Sequence, residues 1–224
     1  MSEDIFIHAD RALVMIFNQM SREFQNLSTQ LGFDELNVLE TRNTVNAMYQ
    51  RMNEMIVRRY EEVAQNAFQD AVIAVPRGEV QKQEFDSSAF VALILRGYNP
   101  VSDFVYTREY TRKRDRLFES IIATERGNQE MRRNLKRALD VLANQVRQYV
   151  DNITIEARIE GFRRNGVEYV RWVAEDDRKT CSICRERNGR IFPIDDLPDI
   201  PAHWHCRCHL EPATIEGFER QEVV

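Results

Sequence analysis

All four cysteines of this 224-residue chain lie between Cys181 and Cys208, and the 180 residues before them contain none. A disulfide framework spreads its bridges through a fold, so clustered cysteines in a reducing compartment point instead to a metal. Zinc takes thiolate and imidazole ligands in a tetrahedron, and two cysteines separated by two residues on a tight turn fill adjacent corners without strain. Cys181 and Cys184 form such a pair. After eighteen intervening residues, His203 and Cys206 make an H-x2-C pair, followed closely by Cys208. The spacing selects Cys181, Cys184, His203 and Cys206 as a closed structural Zn2+ site. Cys208 is the alternative fourth ligand, because residues 206 and 208 would share one face of a strand. His205 and His209 read as bystanders. The competing interpretation is four ordinary buried thiols or two disulfides, since cysteine is among the residues most often buried. A structural zinc site is worth about 10–16 kcal/mol, as much as a whole domain's stability of about 5–15 kcal/mol, so a module this short is expected to need its metal to fold.

The chain ahead of the cluster has helical texture. Leu13, Ile16, Met20, Phe24, Leu27 and Leu31 recur at helical spacing, with Gly32 as a stop and Asp34 as the next N-cap. Leu39, Val45, Met48, Met52, Ile56, Val63 and Phe68 then carry a second stripe toward Val72. Residues 1–75 are therefore predicted to form a helical hairpin. Pro76 and Gly78 open a connector, 76–101, with a short helix around Phe90 to Leu95. Long helices are predicted over 102–165, the last running from about Gln129 to Arg164. After Gly166, Val170, Trp172 and Ala174 alternate with Arg171 and Val173 as in a strand, and Arg190 to Ile194 and Arg207 to Leu210 are short enough to pair with it. The predicted class is α+β, predominantly α-helical. A long-helix body precedes a small zinc-stapled module with β-hairpin character at 166–212, and a tail follows at 213–224.

Composition narrows the function. With 31 Lys+Arg against 36 Asp+Glu, the net charge is -5, which argues against a dedicated non-specific nucleic-acid binder. The first twenty residues lack the basic and apolar regions of a secretory signal, so synthesis in the cytoplasm is expected. The longest apolar run falls far short of the roughly 20 residues that span a bilayer, so no membrane role is expected.

Other side chains have bland readings that outweigh sharper ones. Met48, Met52 and Met55 read as a core stripe and Trp172 as a core residue of its strand. Arg163, Arg164 and the run Arg112, Lys113, Arg114 read as solvated faces. A catalytic zinc would need an open coordination position and a base. Glu175, Asp176 and Asp177 precede the first cysteine but read as a turn, so no catalytic residue is assigned. A zinc-dependent hydrolase or nuclease using His203 or His205 with one of these acids is the alternative. Another is a DNA-binding module presenting Arg185, Arg187, Arg190 and Arg207, offset by Asp195, Asp196 and Asp199.

The order of features from Val167 to Pro212 resembles the C-terminal domain of the phage Mu F-like minor head proteins, the head morphogenesis family. It rests on residues 166–172, ending in Trp172, then Asp177 to Cys181 and Cys184, Asn188-Gly189 with Phe192, Pro201-Ala202-His203 and Cys206-Arg207-Cys208. Trp204 stands where that family commonly has proline. The resemblance implies a structural, non-enzymatic virion protein, several copies per particle, in the phage head near the portal vertex, made in the host cytoplasm. It further implies the portal protein as partner, with the major capsid protein and packaged DNA as additional contacts, and a role in head assembly and in organising or ejecting DNA.

Overall fold

In the computed structural model, residues 6–33, 37–75, 84–96, 106–125, 129–175, 178–204 and 206–214 are described. Helix α1 spans Ile7–Phe33, α2 Val38–Ala74, α3 Ser87–Arg96, α4 Tyr106–Ile122 and α5 Gln129–Arg164. The α1 stripe read from the sequence is buried throughout, from Leu13 to Leu31. Gly32 is not a stop, because α1 continues through it to Phe33. Asp34 lies outside the described residues, and the N-cap of α2 is Asn37. Its Oδ1 accepts the Glu40 N–H at 3.0 Å while the Glu40 carboxylate accepts the Asn37 N–H at 2.8 Å, a reciprocal capping box.

Helices α2 and α5 form the long axis of the body. At 1.5 Å per residue each is about 55 Å long. Met48 and Met52 are buried and Met55 packs at the edge, so this stripe is core. Tyr110 of α4 donates its hydroxyl to the Tyr49 carbonyl of α2 at 2.8 Å. At Gly161 the two long helices come so close that an added Cβ would sit 2.7 Å from the Ala71 Cβ and 2.9 Å from the Phe68 carbonyl oxygen. Only hydrogen fits at that crossing.

The C-terminal half of α5 is buried on several faces. Ile153 and Ala157 join the core of the helical body, whereas Ile155, Ile159 and Phe162 join a second core that also contains Val170, Trp172, Leu210 and three of the cysteines. Arg163 and Arg164 are exposed, as the sequence reading has them, and both also hold partners. Arg163 pairs with Asp195 at 3.4 Å and donates to the Ile194 carbonyl at 3.2 Å. Arg164 bonds Glu160 at 2.7 Å and lies over the stacked rings of Phe68 and Phe85. Glu160 is one helical turn away, whereas Asp195 and the two rings are distant in sequence.

Helix α5 ends where Gly166 takes φ 71°, with Val167 N–H on the Phe162 carbonyl and Gly166 N–H on the Arg163 carbonyl, a Schellman stop. The chain then forms β1 (Tyr169–Val173), α6 (Ser182–Arg187), β2 (Ile191–Pro193) and β3 (His209–Ala213). The sheet is antiparallel in the order β2-β1-β3, with Val170 opposite Phe192 and Pro212. Val170 and Trp172 are fully buried, as their alternation predicts. The third strand begins two residues later than Arg207, because Cys206 is held in a turn by its N–H on the His203 carbonyl. Cys206 and Cys208 therefore precede the strand. No described helix is long and apolar enough to cross a membrane.

Candidate metal centre

Three local structures deliver the five predicted ligands to one place. Cys181 is the N-cap of α6, where its sulfur accepts the Cys184 N–H at 3.3 Å, so the first turn of the helix sets the pair side by side. His203 is presented by the turn after Pro201, and Cys206 and Cys208 flank Arg207 on the run into β3. The ligand atoms of Cys181, Cys184 and His203 lie within 4.8 Å of one another, as do those of Cys184, Cys206 and Cys208. Cys184 is common to both triplets.

The spacings suit a tetrahedral ion. Zn–S bonds of about 2.3 Å and Zn–N bonds of about 2.05 Å imply edges of about 3.8 Å between two sulfurs and about 3.6 Å between sulfur and nitrogen. Cys184 Sγ is 3.7 Å from Cys206 Sγ and 3.3 Å from His203 Nε2. His203 Nδ1 is 2.8 Å from the Trp204 carbonyl oxygen. A carbonyl only accepts, so Nδ1 carries the proton and Nε2 turns its lone pair toward the cysteines, as a metal-binding imidazole requires. A cavity of about 20 Å³ lies among Cys181, Cys184, His203 and Cys208, large enough for one ion or one water.

The electrostatics tell the same story. Burial pushes the Cys184 thiol up to about 12. A hydrogen bond from Cys208 pulls Cys206 down to about 5, and Cys208 is driven up by the same bond and by burial. The Cys184 backbone N–H lowers Cys181. Burial works to lower His203, but the Trp204 carbonyl and the Cys206 and Cys181 thiolates outweigh it and raise it. Four thiols thus compete for negative charge in one small space, and a divalent cation would relieve that competition. Trp172 adds a donor: its buried indole nitrogen lacks a close partner and its N–H favours the Cys208 thiolate.

His209 stands outside both triplets, 3.7 Å from Glu211, while His205, Asp176 and Asp177 lie outside the described residues. Glu175 borders the small cavity, and its carbonyl accepts from the Thr180 hydroxyl. Three of the four arginines read as phosphate contacts are tied down locally. Arg185 donates to the Thr180 carbonyl, Arg187 lies 5.0 Å over the Trp172 ring and donates to the Asp199 carbonyl, and Arg190 pairs with Glu186. The Arg187 stacking had no sequence signal, since it depends on how β1 and α6 pack.

A long helix docked on a three-stranded sheet, whose loops converge four cysteines and a histidine that could hold a metal, makes a small module on a helical body. The family described as phage Mu protein F like protein matches residues 114–211, which take in most of α4, all of α5 and the module up to β3. Over that segment, 98 of the 224 residues, the chain is similar to the phage Mu F-like head morphogenesis family. No curated protein and no solved structure matches the chain.

Proposed function

We propose that the chain is a structural minor head protein of a tailed phage that binds the portal vertex and acts in head assembly and in organising or ejecting DNA. The family match over α5 and the module carries this reading. In it the helical body supplies the contact surface for the portal, and several copies sit in each particle. Co-purification with the portal protein from intact particles tests it; particles lacking the chain would overturn it.

We further propose that the cysteine cluster holds one structural Zn2+, with Cys181, Cys184 and His203 as ligands and Cys206 or Cys208 completing the shell. The bound ion would supply fixed coordination geometry and charge neutralisation. Elemental analysis should return one zinc per chain. We assign no catalytic role to the site. The reading rests on the number of donors, five for a four-ligand shell, and on the small size, about 20 Å³, of the cavity among them. A purified chain that cleaves plasmid DNA with zinc or magnesium would overturn that assignment.

A further inference from the structure

A second, larger cavity of about 430 Å³ opens between α2, α4 and the N-terminal half of α5, within the size range of small-molecule sites. Its apolar wall is Leu117, Ala138 and Val141, the last 45% exposed although it is a large aliphatic side chain. Its cations are Lys113, Arg116 and Arg137, and no acid is among the residues that line it. Lys113 pairs with Glu109 at 3.9 Å. Arg116 and Arg137 are exposed and make no ion pair or hydrogen bond among the described residues.

Two further groups on the wall are incomplete. Tyr49, 1% exposed, and Ser120 each carry a buried hydroxyl with no hydrogen-bond partner. A buried hydroxyl left unpaired bears its full desolvation cost, so two on one cavity wall call for a ligand that satisfies them. Burial lowers Lys113, and the neighbouring Arg116 and Arg112 lower it further against the pull of Glu109, a sign of surplus positive charge here. Guanidinium forks match the oxygens of a phosphate in pairs, and a cleft with two unpaired arginines and no acid suits the several oxygens of a phosphomonoester or phosphodiester better than a carboxylate. The apolar wall beside hydroxyl and amide groups suits a flat ring with polar edges, and Asn134 supplies the amide.

We propose that this cavity binds a mononucleotide unit, its phosphate held by Arg116 and Arg137 and its base lying on Leu117, Ala138 and Val141. The unit is either a free nucleotide or one nucleotide of a single strand. The inference goes beyond the proposed role in the head and does not depend on it or on the metal.

Calorimetric titration of the full chain with AMP, with adenosine and with a short oligo-dA strand tests the site. Saturable one-to-one binding of AMP or of the strand is expected, and which of the two binds identifies the source. Adenosine should bind at least tenfold more weakly than AMP if AMP is the ligand. The double substitution R116Q/R137Q, on exposed positions that leave the core intact, should weaken binding at least tenfold, and Y49F several-fold. Absence of binding by both AMP and the strand, binding unchanged in R116Q/R137Q, or adenosine binding as tightly as AMP would each overturn the proposal.

Discussion

The Nε2 of His203 lies 3.3 Å from the Sγ of Cys184, although nineteen positions separate them in sequence. Cys184 is fixed by the first turn of α6 and His203 by its Nδ1–H on the Trp204 carbonyl, so both ligands are oriented before any ion arrives. Cys184→Ser should therefore abolish zinc binding. Because Cys184 belongs to both ligand triplets, its loss should cost more metal than Cys181→Ser. Zinc content per chain, read beside the thermal midpoint, checks this. Chelation of the wild type should unfold the module, visible as loss of the near-UV signal of Trp172.

Cys206→Ser and Cys208→Ser separate the two candidates for the fourth position. The substitution at the true ligand should release zinc; the other should leave the stoichiometry at one. Retention of zinc by both variants would point to a shell closed by something else.

Burial pushes the Asp151 carboxyl up to about 7, with Asp10 and Cys206 adding to the effect and Arg147 opposing it. A group raised in the folded state stabilises the fold fully below its unfolded value, near 3.8, and loses that contribution as pH rises through about 7. That rise corresponds to at most about 4 kcal/mol, and the half-buried position brings this nearer about 2 kcal/mol. Asp151→Asn should thus raise the denaturation midpoint at pH 8 and change it little at pH 4. Equal effects at both pH values would contradict the assignment.

Gly161→Ala should separate α2 from α5. The new methyl would fall 2.7 Å from the Ala71 Cβ and 2.9 Å from backbone, neither of which can swing away. Overpacking of this kind costs about 1–3 kcal/mol, partly offset by the better helix propensity of alanine, about 1 kcal/mol. A net loss of up to about 2 kcal/mol by urea denaturation is expected.

Gln145 is 3% exposed and neither its amide oxygen nor its nitrogen has a partner among the described residues. Replacing it with methionine, of similar shape, removes two uncompensated polar atoms. Stability should rise by about 1–3 kcal/mol. At about 2–4 °C per kcal/mol for a chain of this size, the melting temperature should rise measurably.

Periodicity made the body legible. The stripe on α1, the stripe on α2 from Val45 onward and the α5 limits, Gln129–Arg164, follow from where apolar residues fall, because a helix buries a face that its own sequence spells out, whereas Leu39, read into the α2 stripe, is 66% exposed. Cap positions were less legible. Gly32 and Asp34 have the right chemistry for a stop and a start, but α1 runs on to Phe33 and the reciprocal pair Asn37 and Glu40 caps α2. The ligand types and the two close pairs were also in the sequence, since the 181/184 and 203/206 spacings are local.

Tertiary structure alone decided the rest. Cys184 sits between His203 and Cys206 because β1 occupies the centre of the sheet and brings α6 and the β3 approach to the same end. Ile155, Ile159 and Phe162 turn out to belong to the module's core rather than to the body's, and Arg116, Arg137 and Tyr49 to one cavity. A sequence by itself determines which residues are apolar, charged or able to hold a metal, and at what local spacing. Which distant ones meet depends on how long helices cross, and that is set by packing contacts such as Gly161 against Phe68 and Ala71, summed over the whole fold.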